Sequence, residues 1–159
     1  DGNNVFHDLL LASVSMGHDV SYATPVGFEP DSEILIRAKK IADETGAKVI
    51  GTNDPIEAVT DAGVIYTDIF VSMGEEHIKD KFQSFDGFQI NNDLASYADQ
   101  DYLFMHCLPA HRGEEVTDGV IDSKNSVVFD QAENRMWAQM SLLTYMCNEN
   151  AWHSFNELY

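Results

Sequence analysis

The residues best suited to chemistry in this sequence follow its short apolar stretches, where strands or turns end. A carboxylate there can pair with an ammonium group, and an amide can bind a carboxylate. A thiol can act as a nucleophile or a hydrogen-bond donor, and a guanidinium can stabilise negative charge on an oxygen. The side chains in question are Asn4, Asp68, Cys107 and Arg135.

Each of these side chains also has an ordinary structural interpretation. An asparagine before an apolar helix can be an N-cap, and Asp68 can form a turn. Cys107 follows His106, which suggests a nucleophilic pair, but neighbouring residues on a strand point to opposite faces, so we expect no Cys–His dyad. A cysteine at a strand end is most often a small buried residue, and an arginine in the first turn of a helix is most often in a surface ion pair. None of the four is decisive alone.

The turn Asp1-Gly2-Asn3-Asn4 does not predict a nicotinamide site. A dinucleotide fingerprint needs several glycines so that the backbone can approach a pyrophosphate, and only Gly2 is present. Cys107 and Cys147 form no CxxC motif and no His/Cys cluster at zinc spacing. We therefore predict no cofactor, no structural metal and no disulfide, and cysteine usage indicates a reducing compartment, the cytoplasm.

The net charge of −18 argues against nucleic acid and anionic membranes as partners, because both require clustered positive charge. With nine lysines and arginines against 27 acidic residues, this segment also has few cations to hold a phosphate-bearing ligand. No apolar run approaches the roughly 18 residues that a membrane span needs.

Strands and helices alternate along the sequence, which predicts one α/β domain over residues 1–159. Its expected fold is a doubly wound, Rossmann-like parallel sheet with helices on both faces. Because a helix begins near residue 5 without a preceding strand, we expect the first, central strand and further sequence to lie upstream. The predicted strands are 20–24, 48–51, 64–67, 103–106 and 127–129, and the predicted helices are 5–16, 31–44, 55–59, 77–85, 92–98 and 131–146.

Ligands of open α/β sheets bind beyond the carboxyl ends of the strands. The chemically interesting residues concentrate at those ends, so the sequence places one site there.

Several of these segments together resemble the ornithine carbamoyltransferase family in order and spacing, over essentially the whole chain. The most specific are Thr67-Asp68 with Ser72-Met73-Gly74, and His106-Cys107-Leu108-Pro109. The others are Asp1-Gly2-Asn3-Asn4, Ala23-Thr24-Pro25, Gly27-Phe28-Glu29-Pro30, Thr52-Asn53-Asp54-Pro55 and Ala132-Glu133-Asn134-Arg135.

The resemblance implies transfer of a carbamoyl group from carbamoyl phosphate to the δ-amine of L-ornithine, giving citrulline. This chain would be the carboxy-terminal, ornithine-binding half. A phosphate-binding loop would lie in an amino-terminal domain absent here, so the isolated segment would be inactive. The family also implies a homotrimer or higher assembly.

By the same resemblance, Asn4 binds the ornithine carboxylate with help from Ser72 and Met73. Asp68 pairs with the α-ammonium, and Cys107 lies beside the δ-amine. The site is completed by the Leu108 carbonyl, which accepts from amino groups, and by Arg135, which reaches the carbonyl oxygen of carbamoyl phosphate.

Two alternatives remain. One is a carbamoyltransferase for another amine, such as putrescine or an acylated ornithine. The other is a noncatalytic binding module of the same fold.

Overall fold

The computed structural model describes residues 1–71 and 81–147, which form seven helices and four strands. In chain order they are α1 (Asn4–Ser15), β1 (Val20–Ala23), α2 (Ser32–Thr45), β2 (Val49–Thr52), α3 (Pro55–Val59), β3 (Val64–Thr67), α4 (Lys81–Ser84), α5 (Asn92–Ala95), β4 (Leu103–His106), α6 (Asp118–Ile121) and α7 (Val128–Cys147).

The strands pair in parallel, as the alternating pattern predicts. β1 pairs with β2 from Val20↔Val49 to Ala23↔Thr52, and β3 pairs with β4 in a second two-stranded sheet. Helices connect the parallel strands, so the Rossmann-like α/β prediction is confirmed.

Helices α1 and α2 pack on each other through a small apolar cluster. Leu10 and Val14 of α1 are fully buried against Ala38 and Ala42 of α2. The two alanines let the helix backbones approach closely, because they carry no side chain beyond Cβ. Gly46 ends α2 in the left-handed conformation, with φ 84°, which a residue without Cβ adopts at little cost.

A second, larger apolar cluster lies around β3 and β4. Phe104, Val116 and Val120 are fully buried there, and Val128 is almost so. This cluster encloses the segment between β4 and α7, which fixes the backbone that follows Cys107.

The predicted strand at 127–129 is wrong. Helix α7 already begins at Val128, and the chain before it makes only an isolated parallel bridge, Phe104↔Ser126. An apolar triplet cannot distinguish a buried strand from the buried start of a helix by periodicity. Here the core contact of Val128 belongs to a helix.

Two other element predictions need adjustment, and one helix was missed. Helix α5 ends at Ala95 rather than near residue 98. The predicted helix 77–85 lies partly outside the described residues, and its described part contains α4, which ends at Ser84. Helix α6 was not predicted, although Thr117 before Asp118 is a recognisable N-cap position.

Helix α7 leaves many large apolar side chains exposed. They are Phe129, Met136, Trp137, Met140, Leu142, Leu143, Tyr145 and Met146. No helix within the described ranges is long and apolar enough to cross a membrane.

Candidate functional site

The register of β3 and β4 brings Asp68 and Cys107 together. Thr67 and His106 are partners at the carboxyl ends of these strands, so the next residue of each strand lies at the same edge. The Cys107 Sγ donates to Oδ1 of Asp68 at 2.9 Å. The predicted proximity of these two residues is therefore observed.

Asn3 holds the other carboxylate oxygen of Asp68. Its Nδ2 donates to Asp68 Oδ2 at 3.1 Å, while its Oδ1 accepts from the backbone N–H groups of Val5 and Phe6. Asn3 is thus both the N-cap of α1 and a fixed donor to the site, which joins the helix start to the β3 end. The sequence placed Asn3 and Asn4 together at the start of this helix; the contact of Asn3 with Asp68 was not predicted.

Burial and charge keep the Cys107 thiol protonated. Desolvation, followed by the hydrogen bond to Asp68 and its negative charge, raises the pKa of Cys107 to about 12. Desolvation, with a smaller contribution from Cys107, also raises the pKa of Tyr66 to about 12. At neutral pH the thiol is therefore a hydrogen-bond donor, not a thiolate nucleophile.

The ring nitrogens of His106 are occupied by other partners, so His106 does not act as a base for Cys107, as expected. Its Nδ1 accepts from the Leu108 backbone N–H at 2.9 Å and lies 4.0 Å from Cys107 Sγ. Because Nδ1 accepts a hydrogen bond from the Leu108 N–H, the ring carries its own proton on Nε2, which faces Glu115 Oε1 at 3.2 Å. The side chains of His106 and Glu115 are both 0% exposed.

This buried pair supports an unusual backbone turn. Leu108 has φ 55°, in the left-handed region that is unfavourable for leucine, and the His106 ring holds its N–H. In the described part of the chain, no donor reaches the Leu108 carbonyl oxygen. That oxygen remains available to a ligand, as its predicted role requires.

Gln131 connects the first turn of α7 to both strands. Its Oε1 accepts from the His106 backbone N–H at 3.0 Å, and its Nε2 donates to the Tyr66 hydroxyl at 3.2 Å. A glutamine in a helix carries no distinctive sequence signal, so this link was not predicted.

The turn at the start of the chain is held by a buried ion pair. Lys81 Nζ lies 2.5 Å from Asp1 Oδ2, and the lysine side chain is 1% exposed. Its ammonium also lies 5.5 Å from the centre of the Phe28 ring. These contacts fix Asp1, which immediately precedes the Gly2-Asn3-Asn4 part of the site.

Other predicted site residues are less constrained. Asn4 and Arg135 are exposed, and within residues 1–71 and 81–147 neither side chain makes a hydrogen bond or an ion pair. Arg135 lies four positions after Gln131, which places it one helical turn farther along the same face of α7. Ser72 and Met73 lie outside the described residues.

A separate group of ligand-type residues follows the Leu108 turn. His111, Glu114 and Glu115 each offer an atom suited to metal binding, and these atoms lie within 4.8 Å of one another. The zinc pattern of cysteines and histidines at fixed spacing does not include carboxylates, so the sequence did not indicate this group.

The family model described as the aspartate/ornithine carbamoyltransferase Asp/Orn binding domain matches residues 1–146. The chain belongs to this family. This confirms the resemblance inferred from the strand-end motifs.

Named members of the carbamoyltransferase family are similar to nearly all of this chain. The catabolic ornithine carbamoyltransferase of Thermoplasma volcanium is 56% identical over 144 residues, which are 90% of this chain and 47% of that relative. The anabolic ornithine carbamoyltransferase of Pyrococcus furiosus is 54% identical over 144 residues, 90% of this chain and 46% of that relative. The chain thus spans about half the length of the curated relatives it matches.

Solved structures from the same carbamoyltransferase family have the same fold. The ornithine carbamoyltransferase of Pyrococcus furiosus gives a TM-score of 0.86 at 54% identity, covering 91% of this chain and 46% of that one. The anabolic ornithine carbamoyltransferase of Campylobacter jejuni gives a TM-score of 0.88 at 37% identity, and the match covers 94% of this chain and 50% of that one. An N-acetyl-L-ornithine transcarbamylase mutant gives a TM-score of 0.77 at 26% identity, and the match covers 88% of this chain and 43% of that one.

Proposed function

We propose that this chain is the ornithine-binding part of an enzyme that transfers a carbamoyl group from carbamoyl phosphate to the δ-amine of L-ornithine, releasing citrulline and phosphate. The observation that carries the proposal is the Asp68–Cys107 contact at the adjoining strand ends. It combines one negative charge with a thiol that remains protonated, in a domain whose family relatives are named for this transfer.

Asp68 attracts the ammonium groups of the substrate. In our proposal the carboxylate pairs with the α-ammonium, and Cys107 lies beside the δ-amine. The carboxylate and the thiol are only 2.9 Å apart. Because the α-ammonium neutralises the charge of Asp68 in this pairing, the carboxylate does not hold the δ-amine beside Cys107 in its protonated form. Asn4, with its exposed amide, binds the α-carboxylate together with Ser72 and Met73.

The δ-amine must lose its proton before it can attack, because an ammonium has no lone pair. The desolvation that keeps Cys107 protonated also favours a neutral amine beside it. The free Leu108 carbonyl oxygen accepts from this amine and orients its lone pair. The ammonium first gives one proton to water, and the neutral nitrogen then bonds to the carbonyl carbon to form a tetrahedral centre. Collapse of this centre breaks the carbon–oxygen bond to phosphate, and the leaving phosphate takes the second proton from the nitrogen.

Arg135 supplies positive charge to the carbonyl oxygen of carbamoyl phosphate. Negative charge grows on that oxygen as the tetrahedral centre forms, and a guanidinium donor stabilises it. Arg135 is exposed on α7, and its guanidinium forms no ion pair with any of the described residues. It is therefore free to reach a ligand. The phosphate itself is held mainly outside this chain, whose net charge is −18, so the isolated 159 residues should be inactive.

The test is citrulline formation by the protein expressed from its full coding sequence. Asp68→Asn should raise the KM for ornithine and lower kcat, and Arg135→Ala should lower kcat by about 100-fold or more. Asp43→Asn and Arg37→Ala, at exposed positions of α2, are the matched controls and should retain activity. Full activity in Asp68→Asn or Arg135→Ala would refute the assigned roles.

An acylated ornithine is the second candidate acceptor, favoured by the likeness to the N-acetyl-L-ornithine transcarbamylase structure. An acylated α-nitrogen is no longer an ammonium, so it could donate a hydrogen bond to Asp68 but would form no ion pair with it. Putrescine lacks the carboxylate that Asn4 would bind. Parallel assays with the three amines distinguish them, and absence of turnover with all three would favour the noncatalytic module.

The remaining attributes follow from the same proposal. We propose a homotrimeric or larger cytoplasmic enzyme of arginine metabolism; Cys107 and Cys147 are free thiols, as a reducing compartment allows. The relatives include anabolic and catabolic enzymes, so kinetics with each substrate pair must establish the physiological direction. Light scattering of the full-length protein tests the assembly.

A further inference from the structure

The segment after the Leu108 turn carries a group of side chains that the proposed transfer reaction does not use. His111, Glu114 and Glu115 offer one imidazole nitrogen and two carboxylates, with ligand atoms within 4.8 Å of one another. We propose that these three residues bind a divalent transition-metal ion of the zinc class. The proposal is independent of the acceptor that the enzyme uses.

The spacing of the first two ligands suits such an ion. His111 Nδ1 lies 3.4 Å from Glu114 Oε2. Two ligands at zinc distances of about 2.0–2.1 Å in tetrahedral geometry lie roughly 3.3–3.4 Å apart. An ordinary ion pair gives a similar distance, so this spacing needs independent support.

The support comes from the buried carboxylate of Glu115. Its Oε1 accepts from His106 Nε2 at 3.2 Å and from the His111 backbone N–H at 2.5 Å. Its Oε2 is buried without any hydrogen-bond partner, although the side chain is 0% exposed. A buried carboxylate oxygen without a partner is costly, and a cation shared with His111 and Glu114 would remove that cost.

The neighbouring arginine does not neutralise the group. Arg112 Nη1 contacts Asp118 Oδ1 at 2.7 Å and Asp122 Oδ2 at 2.6 Å. Within the described ranges, the ion-pair partners of Glu114 and Glu115 are histidines alone. Two carboxylates without a lysine or arginine partner favour a divalent cation.

An ion can enter from solvent and complete its coordination with water. The side chains of His111 and Glu114 are about half exposed, at 50% and 49%. Glu114 also lines a cavity of about 750 Å³ with Gly113, Gln89 and Phe70. The two exposed ligands can therefore close on an ion while Glu115 stays fixed.

The imidazole determines the class of ion. Carboxylates alone would suit magnesium or calcium, whereas imidazole favours zinc and its neighbours in the transition series. We therefore expect Zn²⁺ and Co²⁺ to bind, with magnesium unable to displace them at equal concentration.

The experiment measures Zn²⁺ binding calorimetrically and records the visible spectrum after Co²⁺ addition, using the protein expressed from its full coding sequence. The expected result is one bound equivalent that His111→Ala or Glu114→Gln weakens by at least about tenfold. His18→Ala, at an exposed histidine outside the group, is the matched control and should leave this equivalent unchanged.

Binding to a thiol is the main competing result, because Cys107 and Cys147 are free. Cobalt bound to nitrogen and oxygen gives visible bands without the near-ultraviolet thiolate band, and Cys107→Ser should retain them. A thiolate band, loss of binding in Cys107→Ser, undiminished binding in His111→Ala, or no binding by the unsubstituted protein would each overturn the proposal.

Discussion

Cys107 donates its thiol proton to Oδ1 of Asp68 across 2.9 Å, joining the carboxyl ends of two paired strands. Asn3 donates to the other carboxylate oxygen from the start of α1. The only charged member of this trio is the carboxylate, since the pKa of Cys107 is raised to about 12. The site is thus ready for a cationic ligand and poorly suited to covalent catalysis by the thiol.

Asp68→Asn should make Cys107 more reactive toward iodoacetamide. Only the thiolate is alkylated. Burial contributes most to raising the thiol pKa from 9.0 to about 12, and the hydrogen bond and negative charge of Asp68 raise it further. Substitution by the neutral amide lowers that pKa, so the alkylation rate near pH 8 should rise roughly tenfold for each unit of decrease.

The measurement uses a Cys147→Ser background, because Cys147 is an exposed free thiol. Peptide mass spectrometry then reports alkylation at Cys107, and Asp43→Asn serves as the charge-matched control. An alkylation rate that stays the same or falls in Asp68→Asn would show that burial alone sets the reactivity.

Glu115→Ala should destabilise the protein much more than Glu115→Gln. The alanine variant leaves the buried His106 Nε2–H and the His111 backbone N–H without their acceptor. We expect a loss of about 3 kcal/mol in the free energy of unfolding, whereas glutamine can retain an acceptor oxygen and should lose about 1 kcal/mol. Urea unfolding of both variants checks the order; equal losses would contradict the assigned hydrogen bonds.

The sequence was sufficient to predict that Asp68 and Cys107 meet. Both follow short apolar stretches typical of parallel strands, and side chains at the ends of such strands share one edge of a sheet. The strand-end rule and two residues were therefore enough to predict this contact.

The sequence was insufficient for contacts that depend on the path of a loop. The contact between Glu115 and His106 depends on the turn at Leu108 that separates them. Leu108 has a left-handed φ of 55°, and a sequence rule does not predict that conformation for a leucine. Two adjacent asparagines stand at the start of α1, and the sequence alone does not fix the residue at which the helix begins. In the structure Asn3 is the one that caps the helix and contacts Asp68.

Gln131 and Tyr66 should be energetically coupled. Gln131 Nε2 donates to the Tyr66 hydroxyl, while Oε1 accepts from the His106 backbone N–H. Gln131→Met should lose about 1–2 kcal/mol because it leaves that N–H without its partner. Tyr66→Phe should lose about 0.5–1 kcal/mol by removing the hydroxyl. A double-mutant cycle should give a coupling of at least about 0.5 kcal/mol, and strict additivity would exclude the link.

Gly2→Ala should disrupt the site without removing any of its polar groups. A Cβ at Gly2 would overlap the backbone of Glu29 and Pro30, and Gly2 N–H is already fixed by the Phe28 carbonyl at 2.9 Å. The turn must therefore move, and Asn3 moves with it away from Asp68. Gly63→Ala is the matched control because an added Cβ meets no atom within 4 Å and the φ is not positive. We expect Gly2→Ala to raise the KM for ornithine and lower the melting temperature, with Gly63→Ala nearly unchanged in both. Equal behaviour of the two variants would mean that the turn before α1 does not position Asn3.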